Sequence, residues 1–301
     1  MANRPEIGYE ELLRLANGRA VADTPCPACS DLRQRRNRRK PVLRIWTDVG
    51  FASYCCQHCG AKGYAHDGTK QVFTDADRQR FAERKAQAEA LHAQNVRERR
   101  STARWLWGKG IPAAGTIVAT YLGTRALAAI PPTIRFLPPR GEYHPAMISA
   151  FGMAIEPAGE EIEPGNLIIP DDAVMGVHLT LLKPDGSGKA DTEKQKIIIG
   201  MAVTEPIILA PLSDALALTI TEGIEEAITH HEVLGTGAWA AGCASRLPGI
   251  AAWVPDYCDC VRLVVDGDEA GLKYSRELFR RLQARGLHIE PIILPAKEIA
   301  A

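Results

Sequence analysis

Two groups of side chains in this 301-residue chain have the types and spacing that chemistry needs. The first is Cys26-Pro27-Ala28-Cys29, answered by Cys56-Gln57-His58-Cys59-Gly60. Each CxxC turn lets two sulfurs converge on one ion, and four thiolates close a tetrahedral shell with no open position. The expected role for Zn²⁺ there is therefore structural. Its binding energy becomes folding energy for a module too small to hold itself together. Cys55 adjoins Cys56, but only Cys56 has the two-residue spacing to Cys59, and His58 and His66 are surplus once four sulfurs are in place. The second group is acidic: Glu222 in ITEGIEEA, with Asp266 and Asp268 in LVVDGDEAG. Converging carboxylates repel unless a cation joins them, and oxygen ligands with incomplete protein coordination suit Mg²⁺ or Mn²⁺ carrying phosphates. Glu222 is open to two readings, metal ligand or general acid/base. A DxD pair alone is a weak signal, and strand ends at both positions strengthen it.

These residues need elements to position them. Residues 8–20 read as a short opening helix, and VLRIWTDVG with FASYC as a hairpin about Asp48-Val49-Gly50, so 24–66 has the strand arrangement of a zinc ribbon. Arg44, Trp46, Phe51 and Tyr54 on that hairpin either stack on single-stranded nucleic acid or fill the ribbon's small core. From Asp75 to about Trp107 strong helix formers run without Pro or Gly. Across 108–200 the short β-prone runs MISAFGMAI, NLIIP, MGVHLTLL and KIIIG suggest an α+β subdomain. From about 206, LALTIT, EVLGTG, VRLVVDGD and LHIEPIILP read as strands, alternating with GIEEAITHH and EAGLKYSRELFRRLQARG as helices. Such alternation predicts a largely parallel sheet with both faces covered, whose ligands bind at the carboxyl ends of the strands. Glu222 and the Asp266/Asp268 pair fall at two such ends.

Cations accompany the acids. Lys183, Lys189, Lys194 and Lys196 precede the acidic sheet, with Arg125 and Arg135 upstream, where they could hold a triphosphate or a template backbone. Asp185-Gly186-Ser187-Gly188-Lys189-Ala190 fails as a Walker motif, because its first glycine is misplaced and alanine follows the lysine. A hairpin turn carrying exposed lysines is the other reading. Net charge is zero, yet residues 1–109 hold 21 Lys/Arg against 12 Asp/Glu and the remainder 15 against 24. A basic front suits a phosphate backbone. Cys55, Cys243, Cys258 and Cys260 read as ordinary buried or half-exposed thiols. No apolar run is long enough to span a bilayer and the start lacks a signal-peptide pattern, so a cytoplasmic protein without a membrane partner is expected.

Taken in order, CPAC…YCCQHCGAKG, Tyr121-Leu122-Gly123-Thr124-Arg125 with Arg135-Phe136, GVHLTLLKPDGSGKADTEKQKIIIG, TEGIEEA and VVDGDEAG resemble the DnaG-type primases. They more closely resemble the zinc-ribbon plus Toprim proteins of phages and other mobile elements. The resemblance implies an α/β chain: a zinc-ribbon module with a short leading helix (1–70), a helical linker (71–107), an α+β basic subdomain (108–205) and a Toprim domain (206–301) with a mainly parallel sheet covered by helices. It implies synthesis of short RNA primers on single-stranded DNA from ribonucleoside triphosphates. Glu222, Asp266 and Asp268 would manage catalytic Mg²⁺ or Mn²⁺. Arg125, Arg135, Lys183, Lys189, Lys194 and Lys196 would meet nucleotide or template, and Arg44, Trp46 and Tyr54 of the zinc module would engage DNA. Mobile-element relatives commonly continue into a helicase domain, so a separately encoded replicative helicase is an expected partner. A Toprim nuclease and a noncatalytic nucleic-acid-binding accessory stay as alternatives.

Overall fold

The computed structural model describes residues 7–31, 33, 35–68, 75–157 and 166–295. The chain divides into two compact units, 1–86 and 87–301.

In the first unit, helix α1 (Tyr9–Ala16) is followed by β1 (Val21–Thr24), β2 (Leu43–Asp48), β3 (Phe51–Cys56) and β4 (Lys62–His66), which form one antiparallel sheet in chain order. The opening helix is shorter than the 8–20 expected. Asn17 turns into the left-handed region and its N–H caps the Leu13 carbonyl, ending the helix before β1. Alternation sorts the sheet. Ala22, Leu43, Ile45, Ala52, Tyr54 and Cys56 are buried with Leu12 and Ala16 of α1, while Val21, Trp46, Phe51 and Tyr64 stay exposed. The β2–β3 hairpin closes through Val49-Gly50, where Gly50 takes φ +71°.

Helix α2 (Asp75–Lys109) contains the division between the units. In the second unit, β5 (Ile111–Pro112), helix α3 (Ile117–Gly123), β6 (Ile134–Leu137), β7 (Ala146–Phe151), β8 (Gly176–Leu181) and β9 (Lys196–Gly200) follow. The five strands form an antiparallel sheet in chain order. The last turns of α2 bury Ala103 and Trp107 against Ile148, Ala150, Val177 and Leu179 on one face of it. NLIIP contributes only an isolated bridge, Ile168 to Ile155, rather than a strand.

A second sheet comprises β10 (Ile207–Ala210), β11 (Ala217–Thr221), β12 (Gly237–Ala240), β13 (Cys260–Val265) and β14 (His288–Ile293), in the order β10-β12-β11-β13-β14. The last four run parallel, and β10, which sequence patterning missed, adds an antiparallel edge that makes the sheet mixed. Helices α4 (Ile224–Leu234), α5 (Leu247–Ile250) and α6 (Glu269–Ala284) connect the strands. Residues of α4 pack with α3 and the antiparallel sheet on one face, and residues of α5 and α6 pack on the other. EVLGTG is not a strand: α4 continues to Leu234, Gly235 caps it at φ +62°, and β12 begins only at Gly237. No helix among the described residues is long and apolar enough to cross a membrane.

Candidate functional site

In the first unit the sulfurs of Cys26, Cys29, Cys56 and Cys59 all lie within 4.8 Å of one another. Cys26 and Cys59 sulfurs are 4.0 Å apart and Cys29 and Cys56 sulfurs 3.8 Å. A tetrahedral shell with Zn–S bonds of about 2.3 Å needs sulfurs about 3.8 Å apart, so the cage fits zinc as it stands. The Cys59 backbone N–H donates to the Cys56 sulfur at 3.4 Å, which orients that ligand. Burial pushes the Cys26 thiol up to about 11, so a cation must supply the charge that makes buried thiolates tolerable.

On the hairpin the two readings separate. Tyr54 belongs to the core, with its hydroxyl accepting from the Ile7 N–H at 3.4 Å. Trp46 is on the outer face, and so is Arg44, whose guanidinium grips Asp23 through bonds of 2.8 and 2.7 Å. Phe51 stacks on Tyr64 with ring centres 6.1 Å apart. Tyr64 had no motif to mark it. Its place on the outer face emerges only once β4 pairs with β3.

In the second unit, Arg125, Lys189, Lys196, Glu222, Gly223, Glu225, Glu226 and Asp266 line a cavity of about 200 Å³. It lies at the carboxyl ends of β11 and β13. Thr221 ends β11, Glu222 and Gly223 follow, and α4 begins at once, while Asp266 comes directly after β13. Arg125 follows α3, Lys189 sits on the turn after β8, and Lys196 opens β9. The two sheets together thus deliver cations and carboxylates to one place.

Burial raises the proton affinity of Glu222, and the charges of Asp266 and Asp268 add to it, which puts the three acids within electrostatic reach. Their oxygens do not close as the sulfurs do. Among the described residues, the triad is not one of the groups whose ligand atoms all lie within 4.8 Å. Asp268 caps α6, accepting from the Gly271 N–H at 2.7 Å. Mg²⁺ is often held by only one or two carboxylates plus substrate phosphates, so Glu222 and Asp266, with the second oxygen of Asp268 in reserve, are a suitable donor set.

Glu225 and Glu226 are the site residues that sequence reasoning missed, although the EE pair in the first turn of a helix after Glu222-Gly223 could have flagged them. Glu225 accepts from the Tyr121 hydroxyl at 2.5 Å and pairs with Lys189 at 3.0 Å. Burial would raise its pKa, but the hydroxyl and the ammonium outweigh it and carry it down to about 2. Arg125 lies over the Tyr121 ring, 5.6 Å from its centre.

The remaining basic residues go elsewhere. Arg135 is stacked on Trp107, 4.0 Å from the ring centre, and donates to the Trp107 carbonyl at 3.1 Å, so it braces α2 against β6 instead of lining the cavity. Lys183 pairs with Asp191 at 3.1 Å, and Lys194 is exposed in the turn before β9 with its carbonyl accepting from Thr192. The Asp185–Lys189 stretch is a tight hairpin turn: Asp185 accepts from the Ser187 N–H at 2.9 Å, and Gly186 takes φ +72°.

A family model described as a domain of unknown function, DUF7146, matches residues 97–159. No curated protein sequence matches the chain. The zinc-binding and RNA polymerase domains of the Aquifex aeolicus primase are similar in structure, with a TM-score of 0.39 and 11% identity over 93% of this chain and 74% of that one. A DNA primase domain from Pseudomonas aeruginosa is similar with a TM-score of 0.31 and 11% identity over 51% of this chain and 44% of that one.

Proposed function

We propose that this chain is a DNA primase of the zinc-ribbon plus Toprim type, making short RNA primers on single-stranded DNA by metal-dependent nucleotidyl transfer. The observation that carries the reading is the cavity in which Glu222 and Asp266 stand with Arg125, Lys189 and Lys196. Carboxylates there suit a divalent cation, and cations there suit phosphate oxygens. At about 200 Å³ the space is below the roughly 300–1,000 Å³ that encloses a drug-sized ligand. It suits a triphosphate with its ion, leaving the base outside to pair with a template.

In the reaction, the primer 3′-hydroxyl attacks the α-phosphorus of the incoming ribonucleotide, the bond to the β-phosphate breaks, and pyrophosphate leaves. Mg²⁺ or Mn²⁺ held by Glu222 and Asp266 would supply electrophilic stabilisation at the phosphoryl oxygens. Arg125 and Lys196 neutralise the triphosphate, and Lys189 does so from a position fixed by Glu225. In the second reading of Glu222, with the ion on Asp266 and Asp268 instead, its raised proton affinity suits it to take up the hydroxyl proton. The outer face of the first unit, with Trp46, Phe51 and Tyr64 beside Arg44, suits stacking and backbone contact with single-stranded DNA.

Primer synthesis from labelled ribonucleotides on single-stranded DNA, with Mg²⁺ or Mn²⁺, tests the reading. Product is expected from the native chain, with a loss of ~100-fold or more in Asp266→Ala or Glu222→Gln, the scale of removing one transition-state charge partner. A folded protein that binds DNA yet makes no product would assign the accessory role. Metal-dependent strand cutting would assign the nuclease.

A further inference from the structure

A second group of side chains with metal-ligating atoms gathers in the second unit. Cys260, His288 and Glu290 each offer an atom within 4.8 Å of the others. The parallel register of β13 and β14 sets Cys260 opposite His288 and Arg262 opposite Glu290. Strand periodicity puts these four on one face, since Val261, Leu263 and Val265 turn the other way into the core beside α6. The group stands at the opposite end of the sheet from the acidic cavity. Cys260 opens β13 and Asp266 follows its last residue, so about 20 Å of strand lies between them.

The Glu290 carboxylate is already divided between two jobs. Its Oε2 accepts from Arg262 Nε at 3.1 Å, while Oε1 is 3.7 Å from His288 Nε2. The second separation is too long for a hydrogen bond. It is within a few tenths of an ångström of the ~3.4 Å between two light ligands of one tetrahedral zinc ion. Arg262 is thus placed to orient the carboxylate through the oxygen turned away from His288, as outer partners of ligating carboxylates do.

We propose that Cys260, His288 and Glu290 bind a Zn²⁺ ion, with a fourth position open to water, that clips edge strand β14 to β13. Thiolate and imidazole in one shell select zinc over magnesium, manganese or calcium, so the site is chemically distinct from the acidic cavity. The clip answers a local weakness. No residue of β14 is fully buried, and Pro291 has no N–H to give the ladder, so apolar packing holds this edge poorly.

Zinc per chain is the measurement, taken by elemental analysis on the full-length protein after equilibration with zinc and gel filtration. Two ions per chain are expected in the native protein and one in Cys260→Ser and His288→Ala. In Glu290→Gln the second ion should be the first to yield to a competing chelator. Cobalt substitution provides a readout in the same samples: Cys260→Ser should keep the tetrathiolate spectrum and lose the second set of bands. His288 and Glu290 are well exposed, so their replacement should leave the fold standing even if Cys260→Ser disturbs it. One ion per native chain, or two retained in both Cys260→Ser and His288→Ala, would overturn the proposal.

Discussion

Glu225 shows how one buried acid can be kept ionised next to a site that needs its charge balanced. The Tyr121 hydroxyl and Lys189 ammonium hold its pKa near 2, below the ordinary 4.5. A depressed pKa means that the unfolded chain takes up the proton first. The resulting stability is full above about pH 4.5 and is lost as pH falls toward 2, on the order of 3 kcal/mol in all. Tyr121→Phe should raise the Glu225 pKa, flatten the acid limb of a stability–pH profile from denaturant melts, and cost about 1.5–3 kcal/mol at neutral pH, the worth of a hydrogen bond to a charged group. Asp268 poses a different question because it both caps α6 and stands near the cavity. Asp268→Asn keeps an N-cap and removes the charge, while Asp268→Ala removes both. Thermal melts should show Ala about 1 kcal/mol less stable and Asn close to native. Both should lose metal-dependent activity if the carboxylate also serves the ion.

At the scale of elements, the start of α6 is built around Asp266. A Cβ on Gly271 would fall 2.4 Å from the Asp266 carbonyl oxygen and 2.8 Å from its Cβ. Gly271→Ala should therefore shift the strand end that carries the carboxylate, costing about 1–3 kcal/mol as overpacking does. Metal-dependent turnover should fall with it, a loss that calorimetry and a primer assay on one preparation would expose together. Much of this level was legible in sequence. The helices 75–109 and 269–284 announced themselves by long runs of helix formers, and β2, β3, β11 and β13 by apolar runs between turns. The failures have local causes. EVLG looked strand-like because of Val233 and Leu234, yet both extend α4 until Gly235 stops it. IILA at 207–210 carried too short a pattern to separate from the loops around it, and its antiparallel pairing with β12 depends on a distant segment.

At the scale of the whole molecule, zinc and the two units make a separable prediction. The first unit's core is small and includes the cage cysteines themselves, whereas the second has large cores of its own. Stripping zinc with a chelator should abolish amide protection in 7–68 and leave β7, β8, β11 and β13 protected, as hydrogen exchange would show. Loss of protection throughout the second unit would contradict that.

The sequence by itself picked out the four cysteines whose sulfurs meet, because CxxC spacing is a local geometric device. It also placed the acids at strand ends, because strand and helix patterns are local too. Which cations reach those acids was decided only by tertiary structure. Arg125, Lys189 and Lys196 come from elements whose spacing in the chain says nothing about their meeting, and tertiary packing likewise sent Arg135 onto Trp107 and Lys183 onto Asp191. Likewise Cys260 and His288 become neighbours only through the parallel register of β13 and β14, a pairing fixed by burying Val261, Leu263 and Val265 and not by any motif.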